Sequence, residues 1–212
     1  ERYRRSFVRV VEAVTIVAGP LVAVMVLCGD WVIRLALGPQ WGETARLLPI
    51  LGLAGWILPA WNLTGILFVT QGRAREHLHF HALDFVAKAG SVLVGLLGGV
   101  TGVAIAVAAR YYVMLPVFAV LAGRRGPVSA RDVLGALGFP FVVTASAALA
   151  LAALRRALPV AVAPALGLPL ALVLAVAVVG LILRGTPAGR RRLEILTDLV
   201  RNFRAKKAPA PG

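Results

Sequence analysis

The feature that most constrains the fold is a series of six long apolar stretches between residues 10 and 183. A helix needs about 20 consecutive apolar residues to cross the hydrocarbon core of a bilayer, and a helix satisfies its own backbone hydrogen bonds there. We therefore predict an all-α integral membrane protein with six transmembrane helices. The predicted spans are residues 10–29, 47–70, 78–97, 100–122, 133–154 and 158–183.

The composition also indicates a membrane protein. Hydrophobic residues make up 59% of the 212 residues, against about 45–50% apolar residues in soluble domains. The net charge of +14 would fit a nucleic-acid-binding protein, but the cations lie at the ends of the spans. Basic residues in that position attract anionic lipid headgroups, so we predict membrane lipids, and no nucleic acid, as partners.

The distribution of basic residues predicts the orientation of the chain. With six spans, seventeen of the 23 Lys and Arg residues fall on one side of the membrane. Because cytoplasmic loops carry the excess of Lys and Arg, we predict that this side, with both termini, is cytoplasmic. The seventeen are Arg2, Arg4, Arg5, Arg9, Arg73, Arg75, Arg124, Arg125, Arg131 and the eight cations from Arg184 to Lys207.

The C-terminal region differs from the transmembrane part, which we place at residues 1–185. Residues 186–205 alternate apolar side chains with cations, a pattern typical of an amphipathic helix that lies on a membrane surface. Residues 206–212 are rich in Pro and Ala, and we expect them to be disordered.

Four charged side chains and one amide fall within the predicted spans: Glu12, Asp84, Lys88, Arg110 and the amide of Asn62. Charged groups at membrane depth are costly and usually face a protein interior or a watery cavity. Asp84 and Lys88 are four residues apart, so they share a helix face and can form an ion pair. The alternatives for the others are interhelical packing for Asn62, snorkelling to the interface for Arg110 and an interface carboxylate for Glu12.

We predict no catalytic residue, metal site or cofactor. The chain has no glycine-rich phosphate loop, and its four serines lie in no nucleophile motif. His77 and His81 share a helix face, but His79 points away from it, and no Cys or acidic ligand joins them at a suitable spacing. The single cysteine, Cys28, cannot form an internal disulfide and is expected to be buried.

Several motifs resemble those of bacterial polysaccharide-export flippases, which belong to the multidrug/oligosaccharidyl-lipid/polysaccharide exporter superfamily. The resemblance covers about residues 5–125 and is strongest around Gly38–Trp41. It consists of Gly19-Pro-Leu21, the aliphatic run from Cys28 that ends in Gly38-Pro-Gln-Trp41, Ala45-Arg-Leu-Leu-Pro-Ile-Leu51, Gly72-Arg73, and the Gly-x-x-Gly-x-Ala-x-Ala run at Gly99–Ala106.

The resemblance implies a transporter of twelve to fourteen helices in two lobes, of which this chain forms the C-terminal lobe. The chain begins at Glu1 rather than Met, so we expect the N-terminal lobe to be missing from it. Such proteins move oligosaccharides linked to polyprenyl pyrophosphate across the bacterial cytoplasmic membrane by alternating access. They act alongside polysaccharide polymerases and glycosyltransferases.

Within that family, a few cations in a central cavity can offset the charge of the pyrophosphate. Lys88, Arg110 and Asn62 are the candidate substrate-binding residues here, and Asp84 and Glu12 the candidates for ion coupling or ion pairing. Two other interpretations stay open from the sequence. The chain could be a drug or cation antiporter of the same superfamily, or a non-transporting scaffold that docks glycosyltransferases through its basic tail.

Overall fold

A computed structural model describes residues 2–124, 126–158 and 164–194, and within these ranges the chain is helical with no strand. Single 3₁₀ turns at Pro39–Trp41 and Leu96–Gly98 precede the second and fourth helices, and residues 187–194 are also helical. The prediction of an all-α protein is confirmed. The helices are α1 Arg2–Ala36, α2 Gly42–Thr70, α3 Ala74–Gly95, α4 Gly99–Gly123, α5 Ala130–Gly135, α6 Gly138–Ala157 and α7 Pro164–Gly185.

Five helical segments of the described chain are long and apolar enough to cross a bilayer. They make the chain a multi-pass membrane protein by length and composition. The predicted third span, residues 78–97, folds as α3 and the turn after it, but the charged and histidine side chains of α3 keep it out of this group. The count of six spans therefore remains a prediction. The five segments are Tyr3–Ala36, Pro39–Thr70, Gly99–Gly123, Ala130–Ala157 and Pro164–Gly185.

The first helix is much longer than its apolar stretch. Helix α1 has 35 residues, and at 1.5 Å per residue it is about 50 Å long, against a hydrocarbon core of about 30 Å. Pro20 lies inside α1, yet the non-helical backbone angles occur at Cys28 (φ −123°, ψ 19°). The short apolar segment after Asp30 continues α1 beyond this kink, so the helix projects past the membrane core.

Helix α1 is the centre of the packing. It contacts α2 as well as α6 and α7, which also contact each other, while α4 packs against both α2 and α3. The described helices therefore form two groups that meet at α1. We call α2, α3 and α4, with the buried aromatic side chains between them, the aromatic unit, and α6, α7 and the part of α1 from Ala23 to Trp31 the alanine unit.

Two glycines bring α3 and α4 into close contact near the turn that joins them. A Cβ added to Gly95 would lie 2.6 Å from the Cα of Val103, and one added to Gly102 would meet the carbonyl oxygen of Gly95. Gly99, in the turn, has a φ of +64°, a conformation that glycine adopts without steric cost. The two backbones thus touch at this end of the hairpin, which fixes the register of α3 against α4.

Candidate functional site

The buried charged residues of the described chain form an ion pair between α3 and α4. Nη1 of Arg110 donates a hydrogen bond to Oδ1 of Asp84. Both residues are buried, with 5% of Arg110 and 9% of Asp84 exposed. Asp84 thus pairs with a residue on the neighbouring helix and not, as the spacing suggested, with Lys88 on its own helix. Arg110 does not snorkel to an interface.

Aromatic rings surround the guanidinium of Arg110. Its Cζ atom lies 4.3 Å from the ring centroid of Tyr111 and 5.9 Å from that of Trp61. Trp61 in turn packs against Phe80 and Phe118, whose rings are stacked with centroids 4.0 Å apart. Cations are attracted to the faces of aromatic rings, the more strongly where water is excluded. The aromatic unit therefore offers a favourable place for one positive charge.

The hydrogen-bonding capacity of Arg110 is only partly used. Its Nε and Nη2 atoms are buried and have no hydrogen-bond partner in the described part of the chain. A buried donor without a partner costs about 1–3 kcal/mol, and more when it is charged. A guanidinium has five N–H donors in a planar fork that matches the oxygens of a carboxylate or phosphate. Arg110 can therefore engage a second anionic or polar group once one reaches it.

Lys88 and Asn62 lie apart from this pair. Both are exposed, and neither side chain has a hydrogen bond or ion pair within the residues that the structure describes. Lys88 lies one helical turn beyond Asp84 on α3, on the outer surface of the helix. The structure brings together two of the five candidate residues, Asp84 and Arg110, and the roles proposed for all five remain predictions.

Glu12 has a different environment, against the helical segment that follows α7. Its carboxylate accepts hydrogen bonds from Nη2 of Arg192 at 2.8 Å and from Nε at 3.1 Å. The Cζ atom of Arg192 lies 4.2 Å from the ring centroid of Phe139 on α6, and Leu193 packs against buried residues of α1, α6 and α7. Glu12 therefore holds the helical segment 187–194 against the bundle.

This helical segment falls within the amphipathic helix predicted at residues 186–205, which stays a prediction. The rest of that prediction, and the disordered tail predicted at residues 206–212, lie outside the described residues. The docked part is oriented by a charged pair as well as by its apolar side chains.

Two other arginine contacts between helices were not predicted from the sequence. Nη2 of Arg155, at the end of α6, lies 3.1 Å from Oδ2 of Asp30 on α1, and its Cζ lies 4.3 Å from the ring centroid of Trp31. Nη1 of Arg73 donates to the carbonyl oxygen of Ala122 at 2.9 Å, at the C-terminal end of α4, where a positive charge is favoured. Asp30 and Arg155 directly follow the predicted spans 10–29 and 133–154, so their opposite charges were a usable signal.

The histidines of α3 form a close pair at the start of the helix. The Nε2 atoms of His77 and His81 lie 2.9 Å apart, and the His77 ring stacks on Phe68. Burial lowers the pKa of His77, which precedes the predicted third span, and the nearby His81 lowers that pKa further. His79 is exposed. No group of three His, Cys, Asp or Glu side chains suited to a metal occurs in the described ranges.

Comparisons of the chain with protein-family models, with curated proteins and with solved structures found no match. The resemblance to polysaccharide flippases therefore rests on the sequence motifs alone.

Proposed function

We propose that this chain is the C-terminal part of a flippase that moves oligosaccharides linked to polyprenyl pyrophosphate across the bacterial cytoplasmic membrane for the synthesis of surface polysaccharide. The observation that carries the proposal is the buried guanidinium of Arg110, whose Nε and Nη2 atoms have no hydrogen-bond partner in the described chain and which lies within an apolar helix. The motifs between Gly19 and Ala106, which resemble those of polysaccharide flippases, are the reason for proposing this family.

The chemistry of the substrate explains why such an arginine would be needed. A pyrophosphate and its sugars cannot enter hydrocarbon without a large loss of hydration free energy. An arginine held within the protein can replace part of that hydration with charge-assisted, bidentate hydrogen bonds. The polyprenyl chain of the substrate would remain in the lipid during the movement.

In this proposal, Asp84 holds Arg110 while no substrate is bound. A phosphate group that approaches α3 and α4 either replaces Asp84 as the partner of Arg110 or binds beside Asp84 through the unpartnered Nε and Nη2 atoms of Arg110. Either event changes the contact that joins α3 to α4, and so couples binding of the anion to the packing of these helices. Lys88 and Asn62, which are exposed on α3 and α2, would face the N-terminal lobe or the substrate.

The test uses the complete protein in a bacterium whose surface polysaccharide depends on it. Arg110→Ala should lower polysaccharide output about ten- to hundredfold, the range expected for hydrogen bonds to a charged group. Arg110→Lys should retain an intermediate output because it keeps the charge but loses the fork. Membrane abundance is measured in parallel by immunoblot.

A charge swap separates transport from a purely structural role of the ion pair. The double variant Asp84→Arg/Arg110→Asp keeps an ion pair between α3 and α4, and should recover membrane abundance without recovering polysaccharide output. Arg46→Gln is the control, because Arg46 is exposed and pairs only with the exposed Glu43 in the described chain. Full output from the swapped variant would contradict a role of Arg110 in substrate binding.

One observation favours a second function, that of a membrane scaffold. The basic segment 187–194 is fixed to the bundle by Glu12 and Arg192, which positions it to bind another protein. Reconstitution of the complete protein in proteoliposomes discriminates between the two functions. A flippase moves a labelled lipid-linked oligosaccharide to the opposite leaflet, whereas a scaffold leaves it in place.

A further inference from the structure

Polar residues follow one line along helix α3. They are spaced four, three, four and three residues apart, and residues three and four apart are neighbours on a helix surface. At 1.5 Å per residue the line is about 20 Å long. We call this line the polar stripe. Its members are His77, His81, Asp84, Lys88 and Ser91.

The contacts of α3 with α4 place the polar stripe beside a helix that is long and apolar enough to cross a bilayer. Asp84 pairs with Arg110 of α4, and the backbones of the two helices touch at Gly95, near the end of α3. Arg110 is the twelfth of the 25 residues of α4. Asp84 is therefore level with the middle of α4, and the polar stripe extends from there in both directions.

Two members of the polar stripe are open to the surroundings of the bundle. His81 and Lys88 are exposed, one turn to either side of the buried Asp84. Polar groups at membrane depth are costly in hydrocarbon and usually face a protein interior or a watery cavity. A single lysine can extend its ammonium to the membrane surface, but this does not explain polar groups in four successive turns. The stripe therefore suits water better than lipid.

The opposite face of α3 is apolar. Val86 and Leu93 lie there, and they are 66% and 67% exposed. Because both faces of the helix are exposed in the described chain, burial does not distinguish them, and only their chemistry does. One face suits lipid tails, and the other carries the positive charge of Lys88 beside a carboxylate that Arg110 already neutralises.

We propose that the polar stripe lines a water-filled crevice that admits hydrated anions to the level of Arg110. The crevice opens at the start of α3, where the polar residues continue into the charged turn 71–76. It ends beyond Ser91, since residues 92–98 are apolar or glycine. Lys88 attracts anions into the crevice, because a cleft lined by charges of one sign concentrates ions of the opposite sign. The proposal does not rest on the transport function.

The test uses cysteine substitutions in open membrane fragments that contain the complete protein. Cys28, the only cysteine of these 212 residues, is fully buried, and labelling of the wild type gives the background. His81→Cys and Ser91→Cys place a thiol on the polar stripe, while Val86→Cys and Leu93→Cys are the controls on the opposite face. A water-soluble thiosulfonate reagent should modify the first two and leave the controls at background, because the thiolate that reacts does not form in lipid.

The charge of the reagent tests the preference for anions. Ser91 is three residues from Lys88, and side chains at that spacing are about 6 Å apart. Two unit charges at this distance in water change a reaction rate about threefold. Adding Lys88→Gln to Ser91→Cys should therefore lower the ratio of anionic to cationic reagent rates about tenfold. Adding Arg34→Gln, which removes an exposed arginine on α1, should leave the ratio unchanged.

Three results would overturn the proposal. Protection of both stripe positions would show that another helix or lipid covers the stripe. Equal labelling of the stripe and the opposite face would show that α3 does not border lipid, and an unchanged rate ratio in the Lys88 variant would show that the crevice does not favour anions. If His81→Cys does not accumulate, Ser91→Cys, which exchanges two small side chains, serves for the comparison. The expected labelling without any oligosaccharide transport would contradict the proposed function and support the crevice alone.

Discussion

The aromatic unit and the alanine unit are both buried, but they are built from different side chains. Large rings fill the aromatic unit, among them Trp61, Phe80 and Phe118, whereas the alanine unit is packed through Ala23, Ala147, Ala171 and Ala175. The two charged residues that are buried in the described chain, Asp84 and Arg110, lie in the aromatic unit. Within lipid, burial of apolar side chains contributes little to helix association, because the lipid tails are also apolar. Small residues contribute instead by letting helices pack closely.

The difference indicates a division of roles between the two units. The alanine unit brings helix backbones close together, and its Asp30–Arg155 pair is only part-buried, so the unit is suited to hold α1, α6 and α7 in one arrangement. The aromatic unit contains a charged pair with donors to spare, an arrangement that can change partners. We therefore expect substitutions to destabilise the two units for different reasons: an unpaired charge in the aromatic unit and steric overfilling in the alanine unit.

The largest effect is expected when the ion pair of the aromatic unit loses one partner. Asp84→Ala should destabilise the protein by about 3–5 kcal/mol, because it leaves the charge of Arg110 buried and unpaired. The double variant Asp84→Leu/Arg110→Leu should be far less destabilised, since apolar residues often replace a buried ion pair without loss of stability. Unfolding in detergent micelles, followed by circular dichroism, measures both.

This comparison also tests whether the pair is needed for the fold. A double variant as unstable as Asp84→Ala would mean that the pair itself, and not the unpaired charge, determines stability. The aromatic unit would then be as fixed as the alanine unit, and the proposed exchange of partners at Arg110 would lose its basis.

The sequence predicted the helices well because the apolar stretches mark where the backbone must be helical. It predicted the ends of the helices less well, because an apolar stretch shows only which part of a helix lies in the membrane core and not where the helix begins and ends. The predicted first span begins at residue 10, whereas α1 begins at Arg2 and carries its arginines in its first turns. The α5 helix was missed because its six residues are too few to show a period.

The partner of Asp84 was predicted wrongly for a related reason. A spacing of four residues made Lys88 the nearest cation along the chain, but the choice of partner depends on the register between α3 and α4. Gly95 and Gly102 set that register by their close approach. Asp84 lies eleven residues before Gly95 and Arg110 eight after Gly102, so a hairpin built on these glycines would have placed the two charges near each other.

A smaller loss is expected from overfilling the alanine unit. Ala175 on α7 is 1% exposed and packs in the same cluster as Ala147 and Ala171. Ala175→Leu should destabilise the protein by about 1–3 kcal/mol, because a larger side chain forces α7 away from α1 and α6. Thermal unfolding in detergent is the measurement.

The matched control lies on the same helix two residues away. Ala177 is exposed, so Ala177→Leu adds the same side chain to the outer surface of α7 and should leave the unfolding temperature unchanged. Equal losses of stability at the two positions would show that Ala175 is not in a closely packed contact between α7 and its neighbours. The alanine unit would then not differ from the aromatic unit by closer helix packing.

The smallest effect concerns pH and belongs to the aromatic unit, where His77 stacks on Phe68. Burial lowers the pKa of His77 in the folded protein, so the unfolded chain binds a proton at a higher pH than the folded chain does. The stability that neutral His77 contributes is therefore complete above the unfolded pKa of about 6.5 and is lost as the pH falls through the folded pKa.

His77→Gln should reduce the change in the free energy of unfolding between neutral and mildly acidic pH. His79→Gln, at an exposed position, should leave that pH dependence unchanged. A pH dependence that survives in His77→Gln would assign the acid sensitivity to another group.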